Sequence, residues 1–317
     1  MAFAVIALTA SDTFAATANT LKVTPVRADV EIKAGEKKIL KVTVSNITDG
    51  LVTVRPVQND FIAGDERGTP ALILDADKFA PTHSLKRFMA PLADVTIPAR
   101  QSKVIDVTIT VPQTAQAGGY FGAIRFAPTS PDEGGQVNLS ASVASLILMR
   151  VPGPVEETLS LTDFQVQQKG KSGNYFNTPD DLQVTYRFKN DGNVQIGPMG
   201  KISVTKDKKV VYDADFNNKT PRDVILPDSA RRWETGLKNI ETFGNYEVTA
   251  TFTYGEKNQT IEVKKSFWVI PMHLIYIAIG AVLGLILLIV GIWFFLRSYK
   301  RRILGGGGGR RRHRRRY

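Results

Sequence analysis

Few residues in this chain could carry catalysis, and they lie far apart. There is no cysteine, and the 317 residues include only three histidines, His83, His273 and His313. The absence of cysteine excludes disulfides, thiol nucleophiles and thiolate-bound zinc or iron–sulfur clusters. His273 precedes a long apolar run and His313 lies in an arginine-rich tail, so only His83 is available elsewhere. A lone histidine in a polar segment is typically solvated, and the sequence predicts no catalytic residues.

Neighbouring acidic residues are the next candidates for chemistry. Asp75 and Asp77, like Asp180 and Asp181, are close enough in sequence to share Ca²⁺ or to act as a glycosidase acid pair. Such pairs are more typical of solvated turns. The glycines at 305–309 precede no predicted helix, so they do not indicate a phosphate-binding loop. We predict no metal, no cofactor and no enzymatic activity.

The positive charge of the chain is confined to its C-terminal end. The net charge is +11, from 41 Lys and Arg against 30 Asp and Glu. Ten of the basic residues lie in 297–317, which contains no acidic residue, so 31 basic and 30 acidic residues remain in 1–296. We predict that this tail contacts anionic lipid headgroups. A protein partner and nucleic acid are the alternatives for the tail. For the chain as a whole we do not expect a nucleic-acid partner. The predicted lipid contacts are Arg297, Lys300, Arg301, Arg302, Arg310, Arg311, Arg312, Arg314, Arg315 and Arg316.

A long apolar run precedes the basic tail. Residues 274–296 carry no charge, and as a helix they would be about 35 Å long, enough to cross a hydrocarbon core of about 30 Å. Trp268 and Trp293 bracket the run as interfacial aromatic residues do. We predict a transmembrane helix over 272–296. Gly280 and Gly284 form a GxxxG pair, which predicts a helix-dimer face and a homodimer as an open alternative to a monomer.

The distribution of charge predicts the orientation of this helix. Basic residues follow the apolar run, so by the positive-inside rule the tail at 297–317 is cytoplasmic and the preceding body is outside the cell. Residues 1–18 are predicted to be a signal peptide, since a short apolar stretch leads to the small residues Ala16 and Ala18. The predicted location is the cell membrane, single-pass, and the lack of cysteine favours a bacterial surface.

The body before residue 270 has the pattern of β-structure. Apolar and β-branched residues alternate in short runs bounded by turn residues, and no helical periodicity competes with them. The pattern restarts after the Pro152–Pro154 linker. We predict an all-β fold of two immunoglobulin-like β-sandwiches, at 19–152 and 155–270, followed by one transmembrane helix. Two barrels remain an alternative. The runs are 37–46, 51–57, 95–99, 103–112, 120–128 and 136–151, then 158–168, 182–190, 200–206, 209–216, 245–255 and 259–270.

The two halves share local features. A strand ending in Asn46 runs into Asp49-Gly50, and a strand ending in Asn190 runs into Asp191-Gly192, which predicts two turns able to take positive φ. Tyr120 and Tyr246 each follow a glycine near a strand start, a pattern typical of the tyrosine corner, in which the phenol binds an upstream backbone group.

One segment of the first half has no counterpart in the second. Residues 59–94, called the excursion below, are long for a loop in a compact domain, and such loops are commonly functional. Their mixture of aromatic and charged residues predicts either a ligand-binding face or a cap over one end of the sandwich. The predicted ligand contacts are Phe61, Phe79, Phe88, Tyr120 and Phe121.

Residues 21–61 and 95–126 resemble the first domain of the WxL-interacting protein family. The matching stretches are VTVSN at 42–46, the spacing from TIPA to VTITVP, and AGGYFGAI at 117–124. The resemblance implies a peptidoglycan-binding immunoglobulin-like domain, a second β-sandwich, one membrane helix and a basic tail. Pro25, Arg27 and the turn at 34–38 also resemble pilus chaperones, which share the two-domain architecture.

Together these observations predict a membrane-anchored bacterial surface protein. Its two extracellular β-sandwiches are expected to bind cell-wall glycan, such as peptidoglycan, or other surface proteins. The alternative is a single-span receptor, or an assembly or chaperone-like subunit of a surface complex.

Overall fold

The computed structural model describes residues 20–129 and 142–304, and their side chains to Lys300. The chain is all-β up to residue 269 and ends in one long helix, so the predicted fold class of two immunoglobulin-like β-sandwiches and a helix is confirmed. The predicted signal peptide at 1–18 lies outside the described residues. So do Arg310, Arg311, Arg312, Arg314, Arg315 and Arg316, and the side chains of Arg301 and Arg302.

The first sandwich has two sheets, in the orders β1-β3-β7 and β2-β9-β8-β4-β5, with β6 beside β4. The chain moves from one sheet to the other at Pro25: β1 pairs antiparallel with β3, whereas β2 pairs parallel with β9. The strands are β1 (Leu21–Thr24), β2 (Arg27–Glu31), β3 (Lys37–Asn46), β4 (Val52–Ala63), β5 (Pro70–Leu72), β6 (Val95–Ile97), β7 (Ser102–Thr110), β8 (Gly118–Thr129) and β9 (Val143–Val151).

The second sandwich has sheets in the orders β11-β10-β13-β16 and β12-β18-β17-β14-β15. All neighbours are antiparallel except β12 and β18. Its strands are β10 (Leu159–Gln168), β11 (Lys171–Ser172), β12 (Tyr175–Phe176), β13 (Leu182–Asn190), β14 (Met199–Lys206), β15 (Lys209–Phe216), β16 (Ser229–Gly236), β17 (Gly244–Tyr254) and β18 (Gln259–Val269).

The cores follow from the alternation along the strands. In β3, Val42 and Val44 point inward while their neighbours face outward, and in β7 Val107 and Ile109 do the same. The first core is mostly aliphatic. The second contains a compact aromatic group, in which the Phe188 ring lies 4.9 Å from the Phe252 ring, centroid to centroid. Each half therefore buries its own hydrophobic core.

Both predicted turns are present. Each is stabilised by hydrogen bonds from an asparagine side chain, and its Asp-Gly pair does not adopt positive φ. Asn46 Nδ2 donates to the carbonyls of Gly50 (2.7 Å) and Ile97 (3.1 Å). Asn190 Nδ2 donates to the carbonyls of Val194 (2.8 Å) and Ile225 (2.9 Å). Neither Asp-Gly pair takes positive φ, so that detail of the prediction was wrong.

Gly192, in the second of these turns, is required for another reason. A Cβ atom there would lie 2.1 Å from the Glu156 carbonyl oxygen of the linker. The glycine therefore permits a close approach of two backbone segments rather than an unusual φ.

The two tyrosine corners are confirmed. Tyr120 Oη donates to the Gln116 carbonyl at 2.9 Å. Tyr246 Oη accepts the Glu241 N–H at 3.0 Å and lies 3.3 Å from the Glu241 carbonyl. In each half the phenol ties a strand start to the preceding loop, which fixes where that strand enters the sheet.

The excursion is folded against the end of the first sandwich. Its anchor is the buried carboxylate of Asp60, which accepts the backbone N–H of Ala80 (2.9 Å) and of Lys86 (2.8 Å). A 3₁₀ turn at Lys86–Phe88 then places Leu85 and Met89 in the hydrophobic core. This agrees with the capping alternative, and deletion of the excursion would open the core.

The C-terminal helix α1 (Met272–Leu304) begins only two residues after β18. Its Met272–Lys300 part is long and apolar enough to cross a membrane, and an 18-residue stretch within it has a mean hydropathy of 2.9. It also extends beyond the predicted end at 296, so the first part of the basic tail is helical. Arg297 lies over the Trp293 ring, 5.1 Å from its centroid.

Candidate functional site

The predicted ligand contacts divide into two groups. Phe61 and Phe121 are only 4% and 3% exposed, and their ring centroids are 6.0 Å apart. They belong to an apolar cluster that includes Val224 and Leu226 of the second sandwich. Both rings therefore lie in the contact between the two sandwiches and not on the open face of the excursion, and Phe61 also lines the cleft described below. Phe79, Phe88 and Tyr120 remain candidates, and ligand binding by them stays a prediction.

Phe88 and Tyr120 line a shallow groove of about 350 Å³. The rings of Phe88 and Tyr120 are 5.0 Å apart at 52°. His83 Nδ1 lies 2.7 Å from the Gly119 carbonyl oxygen, so the orientation of this ring is fixed by the backbone of β8. Other lining residues with polar side chains are Thr82, Ser84, Arg87, Thr114 and Gln116.

Phe79 is placed differently from the other two aromatic residues. Lys86 Nζ and the Arg87 guanidinium carbon each lie 4.8 Å from its ring centroid. Cations at this distance over a ring face are attracted by its quadrupole. The ring of Phe79 is therefore already engaged by its own loop.

A clasp between the sandwiches is formed by the β4–β5 hairpin, residues 64–69. The Glu66 carboxylate accepts hydrogen bonds from Arg187 Nη2 (2.7 Å) and Arg187 Nε (2.9 Å), 121 residues away. The backbone N–H of Arg232 donates to the Glu66 carbonyl at 2.7 Å. The hydrogen bonds from Arg187 hold the pKa of Glu66 below its ordinary value, and Glu66 raises the pKa of Arg187.

Gly68 lets this hairpin sit close to the second sandwich. Its φ is +91°, and a Cβ atom there would lie 2.2 Å from the guanidinium carbon of Arg231. Arg231 in turn donates to the Val224 carbonyl (3.1 Å) and lies over the Trp233 ring. Only glycine can both take this backbone conformation and leave room for the guanidinium.

A second contact lies on the linker side of the domains. The backbone N–H of Gly119 donates to the Asn193 carbonyl at 2.8 Å, and Asn193 Nδ2 donates to the Ala117 carbonyl at 3.2 Å. Asn193 Oδ1 also accepts the N–H of Glu156 in the linker. Together with the clasp, these bonds fix the two sandwiches to each other at two separate places.

Beside the clasp, and lined by both sandwiches, is a cleft of about 270 Å³. Apolar side chains form most of its wall, and Arg27 and Arg231 stand at its margin. Arg27 Nη1 donates to the Arg222 carbonyl at 2.8 Å, which adds a third place at which the two sandwiches are bonded. The apolar members of the wall are Val26, Phe61, Ala63, Pro70, Leu146, Leu148, Val224, Ile225, Leu226 and Ala230.

Sequence reasoning missed the second-sandwich side of this cleft. Strand β16 contains Ser-Ala-Arg-Arg-Trp-Glu-Thr-Gly, which shows no alternation of apolar and polar residues. Its arginines are partly buried against the first sandwich, so the usual signal of an outward-facing strand is absent. The one available signal was the pair Arg231-Arg232, an unusual concentration of guanidinium groups in a β-region.

The residues predicted for membrane contacts lie on α1. Gly280 and Gly284 are on its exposed surface, with no described atom near the position a Cβ would take. Arg297 and Lys300 are in its last described turns. A helix dimer and lipid contact by these residues stay predictions.

Neither a protein-family model nor a curated protein matches this chain. Similar solved structures include the class 5 fimbriae chaperone CfaA, with 16% identity and a TM-score of 0.40, covering 77% of this chain and 98% of that one. The E. coli chaperone DraB has 17% identity and a TM-score of 0.32, covering 79% and 98%. The CsuC–CsuE chaperone–tip adhesin complex of Acinetobacter baumannii has 11% identity and a TM-score of 0.37, covering 77% and 97%. The likeness is one of fold and carries no information about activity or partners.

Proposed function

We propose that this chain is a membrane-anchored, non-enzymatic protein of the cell exterior that binds a segment of another surface protein in the cleft between its sandwiches. The observation that carries the proposal is the cleft itself. It is apolar, it is formed by both sandwiches, and hydrogen bonds between the sandwiches hold its walls at a fixed separation. A preformed apolar recess of this kind binds with little cost for reorganisation.

The occupant that fits best is an extended peptide with apolar side chains. Val26 is 66% exposed at the cleft wall, and strand β5 is at the edge of its sheet, beginning at Pro70 in the same wall. An edge strand offers backbone hydrogen bonds to an added strand, while a recess beside it accepts alternate side chains. The arginines at the margin are paired with Asp29 and Asp223, which favours a neutral segment over an acidic one.

Anchoring and orientation are part of the same proposal. Helix α1 would cross the membrane with its basic end in the cytoplasm, as the positive-inside rule favours. Both sandwiches would then be outside, with the second nearer the membrane because β18 leads directly into α1. This arrangement suits an assembly or chaperone-like subunit of a surface complex, which presents a binding site at a fixed distance from the membrane.

Site-specific photocrosslinking in intact cells tests the proposal. A photoreactive residue at Val26 should form an adduct with a second exported protein, and one at Val104, which is exposed at a similar level on β7, should not. The substitution Leu226→Asp should abolish the Val26 adduct, whereas Val210→Asp on exposed β15 should leave it intact. Equal adducts from Val26 and Val104, or an adduct that survives Leu226→Asp in a folded chain, would overturn the proposal.

A second candidate function is binding of cell-wall glycan in the groove beside the excursion. It is favoured by the paired Phe88 and Tyr120 rings next to hydroxyl, amide and guanidinium groups, the usual mixture for a sugar ring and its hydroxyls. The resemblance to the WxL-interacting family supports peptidoglycan as this glycan, and membership in that family is part of this second proposal.

Sedimentation of the full chain with purified sacculi tests the second candidate. Arg87→Ala should lower the bound fraction, and Arg67→Ala, an exposed arginine outside the groove, should leave it unchanged. If the two variants sediment alike, the groove is not the glycan site. Both substitutions remove exposed side chains, so the fold should be retained, and circular dichroism checks this.

A further inference from the structure

One end of the second sandwich, called the helix-proximal end below, surrounds the point where the chain enters α1. It consists of the segment 169–181, the turn 206–209, the loop 237–243 and Trp268. The pairing registers bring these together: Gly244 opposes Val269, Tyr175 opposes Trp268, and Lys206 Nζ donates to the Phe243 carbonyl at 3.0 Å. Segments far apart in sequence therefore form one continuous surface.

The connection from this surface to α1 is short and is fixed by backbone hydrogen bonds. Consecutive Cα atoms are about 3.8 Å apart, so Val269 and Met272 can be separated by at most about 11 Å. The N–H of Trp268 donates to the Asn174 carbonyl (2.7 Å) and that of Ile270 to the Phe176 carbonyl (2.8 Å), and Pro271 is buried. The sandwich therefore cannot move far from the start of the helix.

The composition of the helix-proximal end matches the interface between lipid and water. Tyr175 is 72% exposed, Phe243 53% and Trp268 37%, which is costly in water for three large rings on one small surface. Trp and Tyr are enriched where a membrane meets water, because one part of each ring system is apolar and another forms hydrogen bonds.

The charges of this end also suit a lipid surface. Its lysines outnumber its acidic residues, which are Asp180, Asp181, Asp207 and Glu241. Lys169 pairs with Asp181 and Lys206 with Glu241. The lysines that pair with no described carboxylate are Lys171, Lys208, Lys209 and Lys238. Lysine stems lie along apolar surface while their ammonium groups reach headgroup phosphates.

We propose that the helix-proximal end rests on the outer surface of the membrane that α1 crosses, with Phe243, Tyr175 and Trp268 in the headgroup layer. The occupant of this surface is the lipid bilayer of the chain's own anchor. The headgroup region is roughly 5–8 Å deep on each side of the hydrocarbon core, a depth the three side chains can reach. The contact holds the two sandwiches in one orientation, with the cleft facing away from the membrane. This inference rests on the membrane anchoring in the proposed function and does not depend on what the cleft binds.

Because the natural chain has no cysteine, single cysteine probes test this directly. The full chain is reconstituted in phosphatidylcholine vesicles containing phosphatidylglycerol, with a thiol-linked fluorophore at one position and nitroxide quenchers on the lipid, one near the headgroup and one within the acyl chain. The probes are Phe243→Cys and Tyr175→Cys. The matched control is Val104→Cys, 56% exposed in the first sandwich, and Leu288→Cys reports on the helix.

We expect lipid-borne quenching at positions 243 and 175 to approach that at 288, and the fluorescence at 104 to be unchanged. Quenching at 288 with positions 243 and 175 as bright as 104 would overturn the inference while leaving the anchor in place. Absence of quenching at 288 would show that the anchoring itself fails, and the inference would fall with it. Replacing Lys208 and Lys209 by Glu should reduce the quenching at 243, and no reduction would contradict the contribution of the lysines.

Discussion

The two β-sandwiches use the same local devices and fill their cores differently. Each has a buried asparagine that ties a turn to a distant strand end, at Asn46 and Asn190, and each has a tyrosine corner, at Tyr120 and Tyr246. The first core is built from valine, isoleucine and leucine, whereas the second is dominated by aromatic rings around Phe188. The asparagine turns and tyrosine corners therefore do not depend on whether the core beside them is aliphatic or aromatic.

The difference extends to the surfaces. The first sandwich uses its excursion to close its own core and to clasp the second sandwich through Glu66. The second places aromatic and basic residues around the exit to α1. In the arrangement we propose, the first sandwich contributes the groove and one wall of the cleft, while the second contributes the other wall and the exit to α1.

The largest expected effect concerns the aromatic core of the second sandwich. Phe188→Ala removes a ring that contacts Tyr186, Phe216, Trp233 and Phe252, and we expect a loss of about 4 kcal/mol in the free energy of unfolding. In the aliphatic first core, Ile124→Ala, which likewise truncates a fully buried side chain, should cost about 3 kcal/mol. Chemical denaturation followed by Trp233 fluorescence and circular dichroism measures both. Similar losses would mean that aromatic packing stabilises the second core no more than aliphatic packing stabilises the first.

The asparagine turns should respond alike in the two sandwiches. Asn46→Ala and Asn190→Ala each leave several buried backbone groups without a partner, so each should lower the free energy of unfolding by about 3 kcal/mol. The exposed Asn245→Ala serves as the control and should change it by less than about 0.5 kcal/mol. A large effect at only one of the two sites would break the equivalence of the turns.

Alkaline pH should weaken the second sandwich through Tyr186. Burial raises the pKa of Tyr186 to about 12, partly offset by its hydrogen bond with Thr235 at 2.9 Å. The folded state therefore holds this proton more tightly than the unfolded chain, and roughly 2–3 kcal/mol of stability is lost as the pH rises from about 10 to about 12. Tyr186→Phe should flatten the pH dependence of unfolding over this range.

The matched variant in the first sandwich is Tyr120→Phe. Burial also raises the pKa of Tyr120, although the hydrogen bond to the Gln116 carbonyl opposes this, and its side chain is less buried than that of Tyr186. We expect a smaller change in the alkaline slope. A larger effect from Tyr120→Phe than from Tyr186→Phe would reverse the comparison between the two cores.

The smallest expected effect is at the clasp. The Glu66 side chain is 44% exposed, so its charge pair with Arg187 should contribute only about 0.5 kcal/mol. Because the pKa of Glu66 is lowered in the folded state, this contribution is present above the ordinary carboxyl pKa and is lost as the pH falls below it. A double-mutant cycle of Glu66→Gln and Arg187→Met at neutral and acidic pH measures it, with Glu262→Gln as the control. A coupling that persists in acid would contradict an ionic clasp.

Some strands could be predicted to the residue, and others could not be seen at all. Strands β3, β13 and β15 have the bounds read from their alternation. Strands β2 and β16 were missed, because β2 is a five-residue segment paired with β9 more than a hundred residues away, and β16 carries partly buried arginines. Alternation reports one buried face and one solvated face, so it fails when both faces of a strand have neighbours.

The candidate sites show the same limit. Composition singled out the aromatic residues of the excursion, but it could not distinguish Phe79, which is exposed, from Phe61, which is buried between the sandwiches. Arg187 gave no local pattern, since its partner Glu66 is 121 residues away.

By itself the sequence determined the β class, the two cores, the shared asparagine turns and tyrosine corners, the apolar helix and the confinement of excess charge to the tail. These depend on the order of residues within a few positions of one another, where periodicity and turn chemistry act. Only the tertiary structure decided that Phe61 and Phe121 are buried, that Glu66 clasps Arg187, that a cleft lies between the sandwiches, and that Tyr175, Phe243 and Trp268 meet at one end. These features arise from contacts between segments far apart in the chain, which the packing of whole sheets and domains creates.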